Sequence, residues 1–69
     1  MTNMTNLDRA ASADQALRAF RDLTGCDHED SLGDLLCDLM HWAAAKNFDF
    51  EAALERAYGH HAAEIGEGD

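Results

Sequence analysis

The chain has 69 residues and a formal net charge of −9, because 14 Asp and Glu stand against five Lys and Arg. A chain of this length forms one domain at most and has little room for a buried active-site cavity. Its acidity disfavours direct binding to nucleic acid or to an anionic membrane, since both are recognised mainly through Lys and Arg. An acidic surface attracts basic partners instead, although it also simply keeps a protein soluble.

The cysteines and the N-terminus predict a cytoplasmic protein. Cys26 and Cys37 are the only cysteines and do not form the dense, even pattern of small secreted scaffolds. The first residues lack the basic and apolar segments of a signal peptide, and no run of about 18 apolar residues predicts a membrane span. We therefore expect reduced thiols, no membrane association and a single helical domain over residues 1–69.

Helices and turns are the only elements that the sequence predicts. Proline is absent and Ile65 is the sole β-branched aliphatic residue, so the alternation typical of strands is missing. The first helix is predicted over 13–24, with Ser12 as its cap, Gln15 reaching back to that cap, and Gly25 as its left-handed end. Residues 1–11 and 66–69 are predicted to be flexible.

The second helix is predicted over 28–46. Asp27 is a suitable N-cap, and Lys46 lies at the end where the helix dipole favours positive charge. The apolar residues of this segment recur at i, i+3, i+4 and i+7, which is the pattern of a core-facing stripe. They are Leu32, Leu35, Leu36, Leu39, Met40 and Ala43.

The third helix is predicted over 50–64, where Asn47 closes the preceding helix and Asp49 caps the new one. Because the connection is only a few residues long, the second and third helices are predicted to lie antiparallel as an αα-hairpin. The core of such a monomer is thin, so we expect a homodimer that forms a helical bundle. The predicted inner face of the third helix carries Phe50, Ala53, Leu54, Ala57, Tyr58 and His61.

An acidic stripe is the main functional candidate. Asp30, Asp34 and Asp38 recur every four residues, with His41 one turn further on and no basic residue between positions 22 and 45 other than histidine. Like charges at this spacing cost a few tenths of a kcal/mol each. The stripe is interpreted either as a solvated helix face, as a site where Asp34 and Asp38 bind a hard cation, or as a face presented to a basic partner.

Cysteine, histidine and tryptophan side chains could also bind a metal or a partner, but each has an ordinary structural interpretation. Cys37 and His41, four residues apart, could approach Cys26 and His28 and bind zinc, but the spacing is not that of a standard zinc motif. Trp42 is interpreted as the edge of the core or as an anchor for a partner. The sequence offers no nucleophile with a neighbouring base and no phosphate-binding loop, so we predict neither catalysis nor a bound metal or cofactor.

Two segments resemble the C-terminal half of the all-α MazG-type nucleoside triphosphate pyrophosphohydrolases. They are the run from Ser31 to Leu36 and the run from Phe48 to Leu54, and the resemblance covers about half of the chain. It implies an all-α dimer in which E-x-x-E and E-x-x-D pairs hold magnesium against a triphosphate. Asp34 matches the final aspartate, whereas Ser31 stands where the family has glutamate and residues 1–27 contain no E-x-x-E.

The segment from Asp34 to Trp42 also looks like small acidic proteins of bacterial phages and plasmids. This resemblance implies an accessory protein of a mobile element. Many such proteins bind and block a host protein, as anti-CRISPR proteins do.

These observations favour a non-enzymatic interaction module that docks on a basic, nucleic-acid-binding surface of a host protein or nucleoprotein complex. The predicted partner-binding residues are Asp30, Asp34, Asp38, His41 and Trp42, and the metal candidates to be weighed against them are Asp34, Asp38, Cys37 and His41. One alternative is a reduced MazG-like pyrophosphohydrolase that uses magnesium. Another is a structural assembly subunit that acts through Trp42 and the leucine face.

Overall fold

A computed structural model describes residues 5–67, and this part of the chain contains three α-helices and one 3-10 turn. Helix α1 spans Asn6–Thr24, the turn spans His28–Asp30, α2 spans Ser31–Lys46 and α3 spans Phe50–Glu67. The predicted all-α class is confirmed.

Helix α1 begins seven residues before its predicted start, so the part of the predicted flexible segment from Asn6 onward is helical. Thr5 caps the helix: its hydroxyl accepts from the Asp8 backbone N–H at 3.0 Å, and the Asp8 carboxylate accepts from the Thr5 N–H at 3.2 Å. This reciprocal box satisfies two donors that a helix start leaves open. Ser12 is not the cap, because it lies inside the helix and donates to the Asp8 carbonyl. Residues 1–4 lie outside the described range.

The end of α1 was predicted correctly, whereas the predicted start of α2 was wrong. Gly25 closes α1 with a left-handed φ of 75°, as predicted. Helix α2 begins at Ser31 rather than 28, because residues 28–30 form a tighter turn and Asp27 makes no side-chain capping bond. The Ser31 hydroxyl donates to the His28 carbonyl at 2.9 Å and accepts from Arg21 at 3.2 Å.

The connection between α2 and α3 follows the prediction. Asn47 has a left-handed φ of 61°, and the Asp49 carboxylate accepts from the Ala52 N–H at 3.0 Å as the cap of α3. Helix α3 then continues to Glu67, beyond the predicted end at 64, because Gly66 does not adopt the left-handed conformation that ends α1. Of the predicted flexible tail, residues 68 and 69 lie outside the described range.

Side chains at the helix ends join the three helices. Arg21 near the end of α1 donates to Ser31 at the start of α2. At the other end of α1, the Arg9 guanidinium lies 3.4 Å from the Glu64 carboxylate of α3, and Asn6 donates to the Glu64 carbonyl at 3.2 Å. The N-terminal turns of α1 are therefore fixed by the C-terminal part of α3.

The predicted core stripe of α2 is largely exposed, which corrects the sequence-based expectation. Within the described residues only Ala43 and Ser31 are buried, and Leu35 is half-buried. The exposed fraction of the other four ranges from 40% to 61%; they are Leu39, Leu36, Met40 and Leu32, named here the apolar stripe. The neighbouring helices bury Ser31 and Ala43 and half-bury Leu35, but they leave every side chain of the apolar stripe at least 40% exposed.

The predicted inner face of α3 is also only partly realised. Phe50 and Leu54 are half-buried, whereas Tyr58 and His61 are exposed. Ala53 and Ala57 are exposed as well. Helical periodicity assigned these residues to one face correctly, but no neighbouring helix covers the whole of that face.

Candidate docking surface on the second helix

The acidic stripe consists of Asp30, Asp34 and Asp38. Asp30 is the last residue of the 3-10 turn, Asp34 lies in the first turn of α2, and Asp38 lies one turn further on. All three are exposed. In an α-helix a spacing of four residues places side chains on one face about 6 Å apart along the axis.

No cationic side chain neutralises the acidic stripe within residues 5–67. The arginines of α1 interact elsewhere: Arg9 with Glu64, Arg18 with Asp14 at 3.0 Å, and Arg21 with the Ser31 hydroxyl. The three carboxylates of the stripe form neither an ion pair nor a side-chain hydrogen bond in that range. Their mutual repulsion is small, and the dipole of α2 offsets part of it at Asp34.

His41 and Trp42 continue the same side of α2. His41 is exposed and lies three residues beyond Asp38, while Trp42 lies four residues beyond it. Trp42 is about half exposed, and its ring stacks on Phe48 with a centroid separation of 5.0 Å and an interplanar angle of 12°. Such stacking holds the indole in one orientation beside the carboxylates.

A shallow apolar groove of about 300 Å³ opens next to Trp42, where α2 meets α3. Its apolar lining comes from both helices and from the connection between them; it includes Leu39, Trp42, Ala43, Phe48, Phe50 and Ala53. The sequence-based predictions missed this groove. The signal that could have found it is the pair Phe48 and Phe50 on either side of the Asp49 cap, because that cap fixes both rings at the end of α2.

The metal candidates are spread over the surface of the fold. Cys37 and His41 are exposed on α2, Cys26 is half-buried in the preceding loop, and His28 is exposed in the 3-10 turn. Over residues 5–67 no three His, Cys, Asp or Glu side chains are grouped so that they could hold a metal ion. Asp34 and Asp38 are therefore an exposed pair of carboxylates that no third ligand completes as a metal site within this range.

A second groove of about 300 Å³ lies between the start of α1 and the end of α3. It is formed around the contact of Arg9 with Glu64, and His61 and Ile65 lie at its α3 side. This groove is distant in sequence from the acidic stripe and shares no lining residue with the first groove.

No helix in the described part of the chain combines the length and apolar composition needed to cross a bilayer. Comparison with protein-family models, with curated proteins and with solved structures gave no match for this chain.

Proposed function

We propose that the protein is a non-enzymatic interaction module whose acidic stripe docks on a basic surface of another protein, of the kind that otherwise binds nucleic acid. One observation carries this proposal. Asp30, Asp34 and Asp38 are exposed and unneutralised within residues 5–67, while the three arginines of α1 are already engaged with other groups.

The spacing of the stripe suits a surface that binds phosphates. A row of anionic groups about 6 Å apart along a rigid helix presents its charges without a further ordering cost. A protein surface rich in Lys and Arg attracts such a row as it attracts a nucleic-acid backbone. The net charge of −9 adds long-range attraction and speeds the encounter.

Trp42 and His41 extend the proposed docking surface beyond the carboxylates. The stacked Trp42 ring supplies apolar area next to Asp38, and aromatic anchors of this kind contribute strongly at interfaces. The adjoining groove at Phe48 and Phe50 can receive an apolar side chain of the partner. The charged stripe thus provides steering, and the aromatic end provides the contact that slows dissociation.

A protein bound in this way competes with nucleic acid for the same surface. The proposal therefore extends to inhibition of a nucleic-acid-binding protein in the cytoplasm, the mode of action expected for an inhibitor carried by a phage or plasmid. It requires no metal and no cofactor.

The test starts with a partner captured by the tagged protein from cells that carry its gene, which is then purified and titrated calorimetrically. We expect affinity to fall as salt rises, because charge pairs are screened. The double variant Asp34→Asn, Asp38→Asn should weaken binding by about tenfold or more, which corresponds to about 1.4 kcal/mol. Nucleic acid should displace the protein from its partner.

A matched control separates the stripe from the overall charge. The double variant Glu51→Gln, Glu55→Gln removes two negative charges from exposed positions of α3 and leaves α2 intact. This control should bind within about twofold of the unmodified protein. Equal losses in both double variants, or binding that is insensitive to salt, would contradict docking through the acidic stripe.

A further inference from the structure

The described fold leaves more surface exposed than a monomer of its size normally does. The chain has an accessible surface of 5734 Å² and a mass of 7.6 kDa. The usual scaling for folded monomers gives about 4,300 Å² at this mass. An allowance of about 900 Å² for the six residues outside 5–67 leaves about 4,800 Å², whereas the same scaling gives about 4,000 Å² for the remaining mass of about 7 kDa. An excess of roughly 800 Å² remains.

This excess equals the area that one partner contributes to a stable interface, which is about 800 Å². Part of it is the apolar stripe of α2, formed by Leu32, Leu36, Leu39 and Met40. Soluble monomers seldom leave a contiguous row of large apolar side chains uncovered along a helix. The stripe therefore has the size and chemistry of half an interface.

The position of the stripe decides which occupant fits it. At about 100° per residue, the mean direction of the apolar stripe lies about 180° around α2 from that of the acidic stripe. Two copies can therefore bring their apolar stripes together while their acidic stripes point away from each other. We propose that a second copy of this chain covers the apolar stripe, forming a symmetric dimer through α2.

An antiparallel crossing of the two α2 helices adds charge complementarity. Lys46 ends α2, is exposed, and forms no ion pair within residues 5–67. In a symmetric antiparallel pair it lies near the acidic start of the other helix, where Glu29 is exposed. The opposed helix dipoles also favour this arrangement over a parallel one. The dimer presents two acidic stripes on opposite sides.

Sedimentation velocity over about 1 µM to 1 mM tests the proposal with the full chain. The unmodified protein should sediment as a dimer of about 15 kDa, twice the chain mass of 7.6 kDa. Leu36→Lys should weaken the dimer by about a hundredfold, because a symmetric interface carries the substitution twice. This variant also reduces the mutual repulsion of two negative chains, so a loss of affinity is attributable to the stripe rather than to charge.

The matched control is Leu23→Lys, the same change at an exposed leucine of α1. It should leave the dimer intact, and circular dichroism should show both variants helical. If Leu36→Lys fails to fold, a mixed sample of labelled and unlabelled protein replaces it, with nuclear Overhauser contacts expected between the copies at Leu32, Leu36 and Met40. A monomer at all concentrations, a dimer that survives Leu36→Lys, or contacts between the copies that avoid the stripe would overturn the proposal.

The salt dependence of affinity distinguishes dimerisation from docking on a basic partner. Two copies of charge −9 repel each other, so dimer affinity should rise with salt, whereas binding of a basic partner should fall. Dimer affinity that falls with salt would contradict an apolar interface between like-charged copies. Failure of dimerisation and failure of docking are thus recognised by different measurements.

Discussion

Helix α1 carries six charged residues and α2 carries three, and the two helices use them in opposite ways. Arg9 and Arg21 of α1 contact Glu64 and the Ser31 hydroxyl and so join α1 to the other helices, while Arg18 pairs with Asp14 within α1. The carboxylates of α2 pair with nothing in the described part of the chain. Burial shows the reverse contrast, because α1 contains no buried residue whereas α2 contains both Ser31 and Ala43.

The comparison indicates a division of roles between the two helices. Helix α1 is held by polar contacts at its ends, and α2 is the central element on which the other two pack. Both the acidic stripe and the apolar stripe of α2 are exposed, and they are the surfaces proposed above for external partners. Substitutions at matched positions of α1 and α2 test whether this division is correct.

The largest contrast is expected for an added side chain in the middle of each helix. Ala43 is 4% exposed, so Ala43→Leu forces its neighbours apart and should lower the free energy of unfolding by about 1–3 kcal/mol. Ala19→Leu places the same side chain on an exposed position of α1 and should change the free energy of unfolding by less than about 0.5 kcal/mol. Urea unfolding at fixed protein concentration measures both. Equal effects would show that α2 is not the packed centre.

Substitutions at the starts of α1 and α2 should differ by a smaller amount in their effect on the free energy of unfolding. Thr5→Ala removes the hydroxyl that caps α1, which is one half of its capping box, and should cost about 1 kcal/mol of unfolding free energy. Asp27→Ala should cost less than about 0.5 kcal/mol, because Asp27 makes no side-chain capping bond before α2. Thermal unfolding followed by circular dichroism gives the comparison. A larger loss for Asp27→Ala would restore the cap that the sequence predicted there.

Substitution of two exposed aspartates should have the smallest effects on stability, and these effects should have opposite signs. Asp14→Asn breaks the exposed ion pair with Arg18 and should destabilise the fold by a few tenths of a kcal/mol. Asp38→Asn relieves repulsion from Asp34 and should stabilise it by a similar amount. Both effects should shrink in high salt, which screens exposed charges. Destabilisation by Asp38→Asn would indicate that Asp38 has a favourable partner within the protein.

Only part of the candidate site could be predicted from the sequence. The four-residue spacing of Asp30, Asp34 and Asp38 predicted one exposed row, and the structure places all three on the surface. The stacking of Phe48 on Trp42 was not predicted, because it depends on the path of the chain between α2 and α3. The groove beside them was missed for the same reason.

The sequence by itself determined the local features of this protein. The helical class follows from composition, and the left-handed ends at Gly25 and Asn47 and the cap at Asp49 depend on residues within a few positions of each boundary. The early start of α1 was equally local, but the Thr5 and Asp8 box lay in a segment whose polarity had suggested disorder.

Only the tertiary structure decided which faces are covered. Periodicity placed Leu32, Leu36, Leu39 and Met40 on one side of α2, yet it contains no information on whether another helix lies against that side. The contacts of Arg9 and Asn6 with Glu64 likewise join residues far apart in the chain. Burial is a property of the assembled helices, and in the described part of this chain the four large side chains of the apolar stripe stay 40–61% exposed.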